Sequence, residues 1–111
     1  MAATINTSTV EVGKTPTGHV FVCGSCSLSA DYVASESLDL SAYLGAMQSL
    51  HLQLELSSNA IVQIDKANSN YAASEAKIVH RVASTGAVTA DNTNTSTVLI
   101  SFFAVGDSPV A

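Results

Sequence analysis

The chain has 111 residues and a mass of 11.4 kDa, the size of one domain built on a single core. Hydrophobic residues make up 47% and charged residues only 12%, which excludes a charge-rich disordered chain. The formal net charge is −5, with Lys14, Lys66, Lys77 and Arg81 as the only Lys and Arg residues; four dispersed cations cannot neutralise a run of phosphates, so neither nucleic acid nor an anionic membrane surface is an expected partner.

Met1 to Thr9 shows neither a basic n-region nor an apolar h-region, so a secretory signal is not expected and synthesis in a cytoplasm is the working expectation. Ala2 to Thr9 and Asp107 to Ala111 are polar and lack a core-forming pattern. They are expected to be short arms, at least one of which orders only against a neighbour. Strands are predicted from Thr9 to Val12 and from His19 to Cys26, separated by the turn residues Lys14 to Gly18. Asp31, Glu36 and Asp39 then fall in one loop. Leu40, Tyr43, Leu44 and Met47 recur at i, i+3, i+4 and i+7, which predicts at most one short helix near 41–47, capped by Asp39 or Ser41.

The clearest pattern is Leu50-His51-Leu52-Gln53-Leu54-Glu55-Leu56. A helix would scatter these leucines around its circumference, whereas a strand places them on one face, so a half-buried strand is predicted. Ser57 to Asn59 marks a turn, Ala60 to Lys66 a strand, and Asn68 to Asn70 another turn. Lys77 to Ala83 follows as a strand, with Ala87 to Ala90 as a further candidate across Thr85-Gly86. After the turn residues Asp91 to Asn94, Thr97 to Val105 is apolar on nearly both faces and predicts a buried central strand, stopped at Gly106-Asp107. A series of short strands without crossover helices predicts an all-β, antiparallel sandwich or barrel in one domain. The apolar content is mostly small, with 16 Ala beside 16 Ser and 10 Thr but 3 Phe, 3 Tyr and no Trp. The core is therefore thin, and the weakly charged surface suits burial against a partner.

Cys23-Gly24-Ser25-Cys26 is the sequence that most resembles a metal or redox motif. The two thiols would supply half of a tetrahedral zinc site, with His19 as a third ligand and His51 or His80 as a fourth. No second cysteine pair accompanies them and the flanks are strand-like, so the expectation is no metal and two small strand residues, reduced in a cytoplasm. The three histidines alternate with apolar neighbours or lie opposite the leucines, which predicts surface or partly buried packing. Asp31, Glu36 and Asp39 offer a cation site or a shared proton, but without a supporting ligand pattern they predict a solvated loop face. No Gly-x-Ser-x-Gly elbow, His-Glu-x-x-His helix or phosphate-binding glycine loop is present, so no catalytic residue and no cofactor are expected and the chain does not read as an enzyme.

From Ser27 to Ser41 the sequence resembles the small capsid decoration, or cement, proteins of tailed bacteriophages. Ser29-Ala30-Asp31-Tyr32 follows their Ser-x-x-Tyr loop, and Glu36, Leu38 and Leu40 their Glu-x-Leu-x-Leu stretch. Asp65-Lys66-Ala67-Asn68 matches an Asp-x-x-Asn-like step between strands, and Ala104-Val105-Gly106 the closing Ala-x-Gly. The pattern runs from about Gly18 to Gly106; Ala34-Ser35 stands where the family has Gly-Gly, and Cys23 and Cys26 are not part of it. The resemblance implies a jelly-roll-like β-sandwich that assembles as a homotrimer on the outside of an icosahedral head and ties neighbouring copies of the major capsid protein together. It implies localisation to the virion surface after synthesis in a host cytoplasm, and no active site. The alternative is another phage structural or receptor- or carbohydrate-binding β module, such as a head-fibre base or a tail component.

Overall fold

The computed structural model describes residues 2–56 and 60–108. Its strands are β1 (Thr4–Lys14), β2 (Val20–Ser27), β3 (Glu36–Asp39), β4 (Met47–Leu56), β5 (Ala60–Ile64), β6 (Glu75–Val82) and β7 (Leu99–Gly106). They form two antiparallel sheets, one ordered β1-β2-β7-β4 and the other β3-β6-β5. The sheets pack face to face in an all-β sandwich measuring 42 × 27 × 19 Å, the shortest dimension being two sheets and their side chains.

The core lies between the sheets and follows from period-2 alternation. Val20, Val22 and Cys26 of β2, Ile100, Phe102 and Ala104 of β7, and Met47 and Leu50 of β4 point inward from the larger sheet. Leu38 of β3 and Ala76 and Ile78 of β6 meet them from the smaller one, with Val62 and Ile64 of β5 packed alongside. The Leu-x-Leu pattern of β4 is in register with β7, Leu50 opposite Ala104, Leu52 opposite Phe102 and Leu54 opposite Ile100. Gly106 ends β7 beside the turn that leads into β4, where an added Cβ would lie 2.1 Å from the Ala46 carbonyl oxygen, so that close backbone approach requires glycine.

Taking β2 as the first strand, the orders β2-β7-β4 and β3-β6-β5 are those of an eight-stranded jelly roll lacking its fifth and sixth strands. Where that hairpin would stand, two short 3₁₀ helices, Lys66–Asn68 and Tyr71–Ala73, lead from β5 into β6. β1 is added at the edge beside β2. The fold is therefore jelly-roll-like, as expected.

Several local expectations change. Residues 4–9, read as part of a polar arm, form the first half of β1, and Ala2 bridges Ser37 of β3. Pairing of backbone groups does not require an apolar pattern, and an edge strand with Ile5 opposite Cys26 can otherwise be exposed Thr, Ser and Asn. At the other end, Asp107 donates its N–H to Ala46 O at 2.8 Å and accepts from Gly45 N at 2.9 Å, while Pro109 to Ala111 lie outside the described residues. Near 41–47 there is one turn, with Tyr43 N and Leu44 N both donating to Leu40 O, and it stops where the chain must extend into β4. Glu36 to Asp39, read as loop, are β3. The candidate strand 87–90 is a single bridge between Val88 and Arg81, and the turn expected at Ser57 to Asn59 lies outside the described residues.

Candidate functional site

The residues that resembled a metal site are separated by the strand that carries them. Three residues apart on β2, Cys23 and Cys26 point to opposite faces: Cys26 is fully buried in the core and Cys23 lies on the outer face of the larger sheet. Burial pushes the Cys26 thiol up to about 11, which keeps it protonated and a poor ligand. His19 sits at the β1–β2 turn with Nδ1 3.1 Å from Thr17 Oγ1, and His51 is exposed on β4. Among the described residues no group of His, Cys, Asp and Glu converges as a metal site would require.

The three acidic residues expected on one solvated face are also separated. Asp31 is exposed, and Asp39 accepts the Ser41 N–H at 2.9 Å, a bond that lowers its pKa. Glu36, by contrast, is completely buried. It is on the inward-facing register of β3, opposite Ile78, and its Oε1 accepts from the Ser29 backbone N–H at 2.5 Å. Ser29 O in turn accepts from Thr95 N at 3.0 Å and Thr95 Oγ1 at 2.7 Å, which ties the loop before β3 to the long connection before β7.

Tyr32 and His80 extend this buried polar cluster. The Tyr32 hydroxyl donates to Ala34 O at 2.6 Å and accepts from His80 N at 3.0 Å. Burial raises the pKa of the phenol, so it keeps the proton it donates. His80 is hydrogen-bonded through Nδ1 to Thr89 Oγ1, and burial of its ring pushes its pKa below the ordinary histidine value. Backbone bonds Tyr32 N to Thr93 O and Asn92 N to Tyr32 O complete the attachment. Together these groups seal one end of the sandwich. Their hydrogen bonds hold the loops at that end together.

The outer faces of the two sheets are the surfaces left for partners. The smaller sheet turns Ser37, Asp39, Glu75, Lys77, Arg81 and Gln63 outward beside Ile61, which is 41% exposed, and most of the polar groups have partners within the face. Lys77 Nζ lies 2.5 Å from Ser37 Oγ and 3.6 Å from Glu75, while Arg81 donates through Nε to Gln63 and through Nη1 to Gly86 O. The larger sheet presents a different chemistry. Phe21 and Phe103 stack on its outer face with ring centroids 5.8 Å apart, Val105 and Cys23 flank them, and Phe103 is 43% exposed. Gly13 makes this face flat: an added Cβ there would lie 2.4 Å from Phe21 Cζ, so only glycine lets the ring lie across β1.

Two shallow hollows border the larger sheet. One, of about 210 Å³, lies beside Phe103 against His51, Gln53 and Ser101. The other, of about 430 Å³, lies where β1 overhangs the end of the sandwich, lined by Val12, Lys14, Val20, Ala42 and Tyr43. Val12 is 53% exposed although it pairs with buried Val22, because no strand of the smaller sheet covers that end of β1.

The sequence reading missed the aromatic face, although a signal was present. Thr97 to Val105 is apolar at both odd and even positions, which suggested burial on both sides; β7 is central, but in a two-layer fold its outer side has nothing over it. No family model, curated protein or solved structure was found that matches the chain. No described helix is long and apolar enough to cross a membrane.

Proposed function

We propose that the protein is a structural virion component, a capsid decoration subunit that binds the outside of an icosahedral phage head and stabilises contacts between major capsid proteins. The observation that carries this reading is that most residues of the resemblance have a task in the fold that suits their type. In the Ser-x-x-Tyr…Glu-x-Leu-x-Leu stretch, Glu36 receives the Ser29 N–H, while Tyr32, Leu38 and Leu40 are fully buried. Asp65 and Asn68 close on each other, Asn68 Nδ2 donating to Asp65 Oδ2 at 2.7 Å and Asn68 N to Oδ1 at 3.4 Å. The glycine of Ala-x-Gly is the close approach at Gly106. Ala34 has φ 50°, in the left-handed region, where the family's glycine would be unstrained.

A weakly charged sandwich suits the role. Among the described residues β1 and β4 each have one neighbour in the larger sheet, which leaves their other edges for pairing, and a homotrimer on the shell would cover such edges. Many copies, each binding only the mature lattice, would stabilise that lattice by mass action.

The test is to add the purified protein to heads assembled without it. The expected result is binding that saturates at a fixed ratio to the shell subunit over the whole surface and raises the temperature at which heads lose their contents. Binding confined to one vertex or to the tail, or no binding to heads at all, would overturn the decoration reading.

A further inference from the structure

We propose that the outer face of the larger sheet is a self-complementary contact that pairs two copies of this chain about a two-fold axis running along the strands. The register lays out one row across that face: Glu11 on β1, Cys23 on β2, Phe103 on β7 and His51 on β4. Rotation about an axis between β2 and β7 reverses the row. Glu11 of one copy then faces His51 of the other, and Cys23 faces Phe103, a sulfur–aromatic contact. In the neighbouring row Phe21 faces Val105, while Gly13, which lets the Phe21 ring lie flat, faces Ser49.

Three observations favour a second copy as the occupant. The row is complementary to its own reversal, a hydrogen-bond-accepting carboxylate at one end and an imidazole N–H donor at the other, and self-complementarity is the condition an isologous contact must satisfy. Its centre is apolar and flat, and an axis along the strands stacks the two sheets nearly aligned, as sheets pack inside sandwiches. The charges of the molecule are mostly elsewhere, since the smaller sheet carries Asp39, Glu75, Lys77 and Arg81 on its own outer face. Within one copy Glu11 and His51 are three strand spacings apart, roughly 14 Å, too far to interact directly. The contact leaves the sheet edges open, so it coexists with edge-paired assembly and would join neighbouring trimers in a shell, though it does not depend on the virion reading.

The test is the absolute mass of the full chain by light scattering across a concentration series, with thermal melts as a folding control. The expected wild-type assembly is an even multiple of the protomer. Phe103→Asp, at a half-exposed position, is expected to melt like the wild type and to weaken the association about tenfold or more. Glu11→Lys and His51→Glu are each expected to weaken it, and the double variant to recover it, because the exchanged charges meet only across the two-fold axis. A wild-type monomer at every concentration, a trimer unchanged by Phe103→Asp, or a double variant no tighter than its singles would overturn the proposal. An even-numbered assembly that fails to bind heads would support this contact while overturning the decoration reading.

Discussion

The two sheets differ on both their outer and inner sides. The larger sheet is aliphatic and aromatic inward and carries Phe21, Phe103 and Val105 outward as well. The smaller sheet places Glu36 and His80 inward, and outward mainly charged and polar groups, several bonded to one another, with Ile61 and Val79 but no aromatic ring beside them. Both sheets obey the same alternation, so the difference is one of residue choice. Most polar groups of the smaller sheet are bonded within the molecule, the buried His80 Nε2 being an exception, whereas the larger sheet leaves an aromatic face that gains free energy when something covers it.

The largest way to break this contrast is inside the larger sheet. Phe102→Ala removes a ring that is 3% exposed and is expected to destabilise folding by about 3–5 kcal/mol, measured by urea unfolding. Beneath the smaller sheet the loss is of a different kind. Tyr32→Phe deletes the hydroxyl that joins His80 N to Ala34 O and is expected to cost about 1–3 kcal/mol, because the His80 N–H stays buried without an acceptor.

The polar interior also predicts a pH dependence that the aliphatic one does not. Burial holds the folded pKa of His80 below the ordinary value of 6.5, so the unfolded chain takes up the proton first. His80 therefore weighs against folding only at low pH: its penalty is absent well above pH 6.5 and grows as pH falls towards the depressed folded pKa. Asp39, whose pKa is lowered by the Ser41 N–H, adds to acid destabilisation at still lower pH. Melting temperatures over a pH series should fall below pH 6.5 for the wild type and less steeply for His80→Gln over the same interval.

A smaller effect sharpens the comparison at the loop that leads into the smaller sheet. Ala34→Gly relieves a left-handed residue and is expected to stabilise by about 0.5–1 kcal/mol, less than the full strain because glycine is freer in the unfolded chain. The smallest concerns the charged face itself. Lys77→Ala should change stability by no more than about 1 kcal/mol, since an exposed ion pair at 3.6 Å contributes little in water.

Much of the sandwich is legible in the order of its residues. The Leu-x-Leu run of β4 and the β-branched and aromatic run of β7 are period-2 patterns, and alternation depends only on the geometry of a strand. β1 and β3 were less legible for opposite reasons. The first half of β1 is an exposed edge strand whose pairing needs only backbone groups, and β3 is a four-residue strand whose inward positions include a carboxylate. Solvated loop was the natural reading of Glu36 because a buried carboxylate is tolerable only with partners, and those partners, Ser29 and the loop held by Thr95, are assembled by the fold. Likewise the spacing of Cys23 and Cys26 suggested a shared site until a strand placed them on opposite faces.

The order of residue types along the chain was enough for the class of this protein: strands rather than helices, a weakly charged surface, and one face of β4 committed to a core. Those properties are local, since they follow from side-chain period and composition. Which apolar residues are covered, which polar ones are enclosed, and that the outer side of β7 faces solvent were decided by the packing of the two sheets. Burial depends on what lies across from a residue, and in a jelly-roll-like winding those neighbours come from strands distant in sequence.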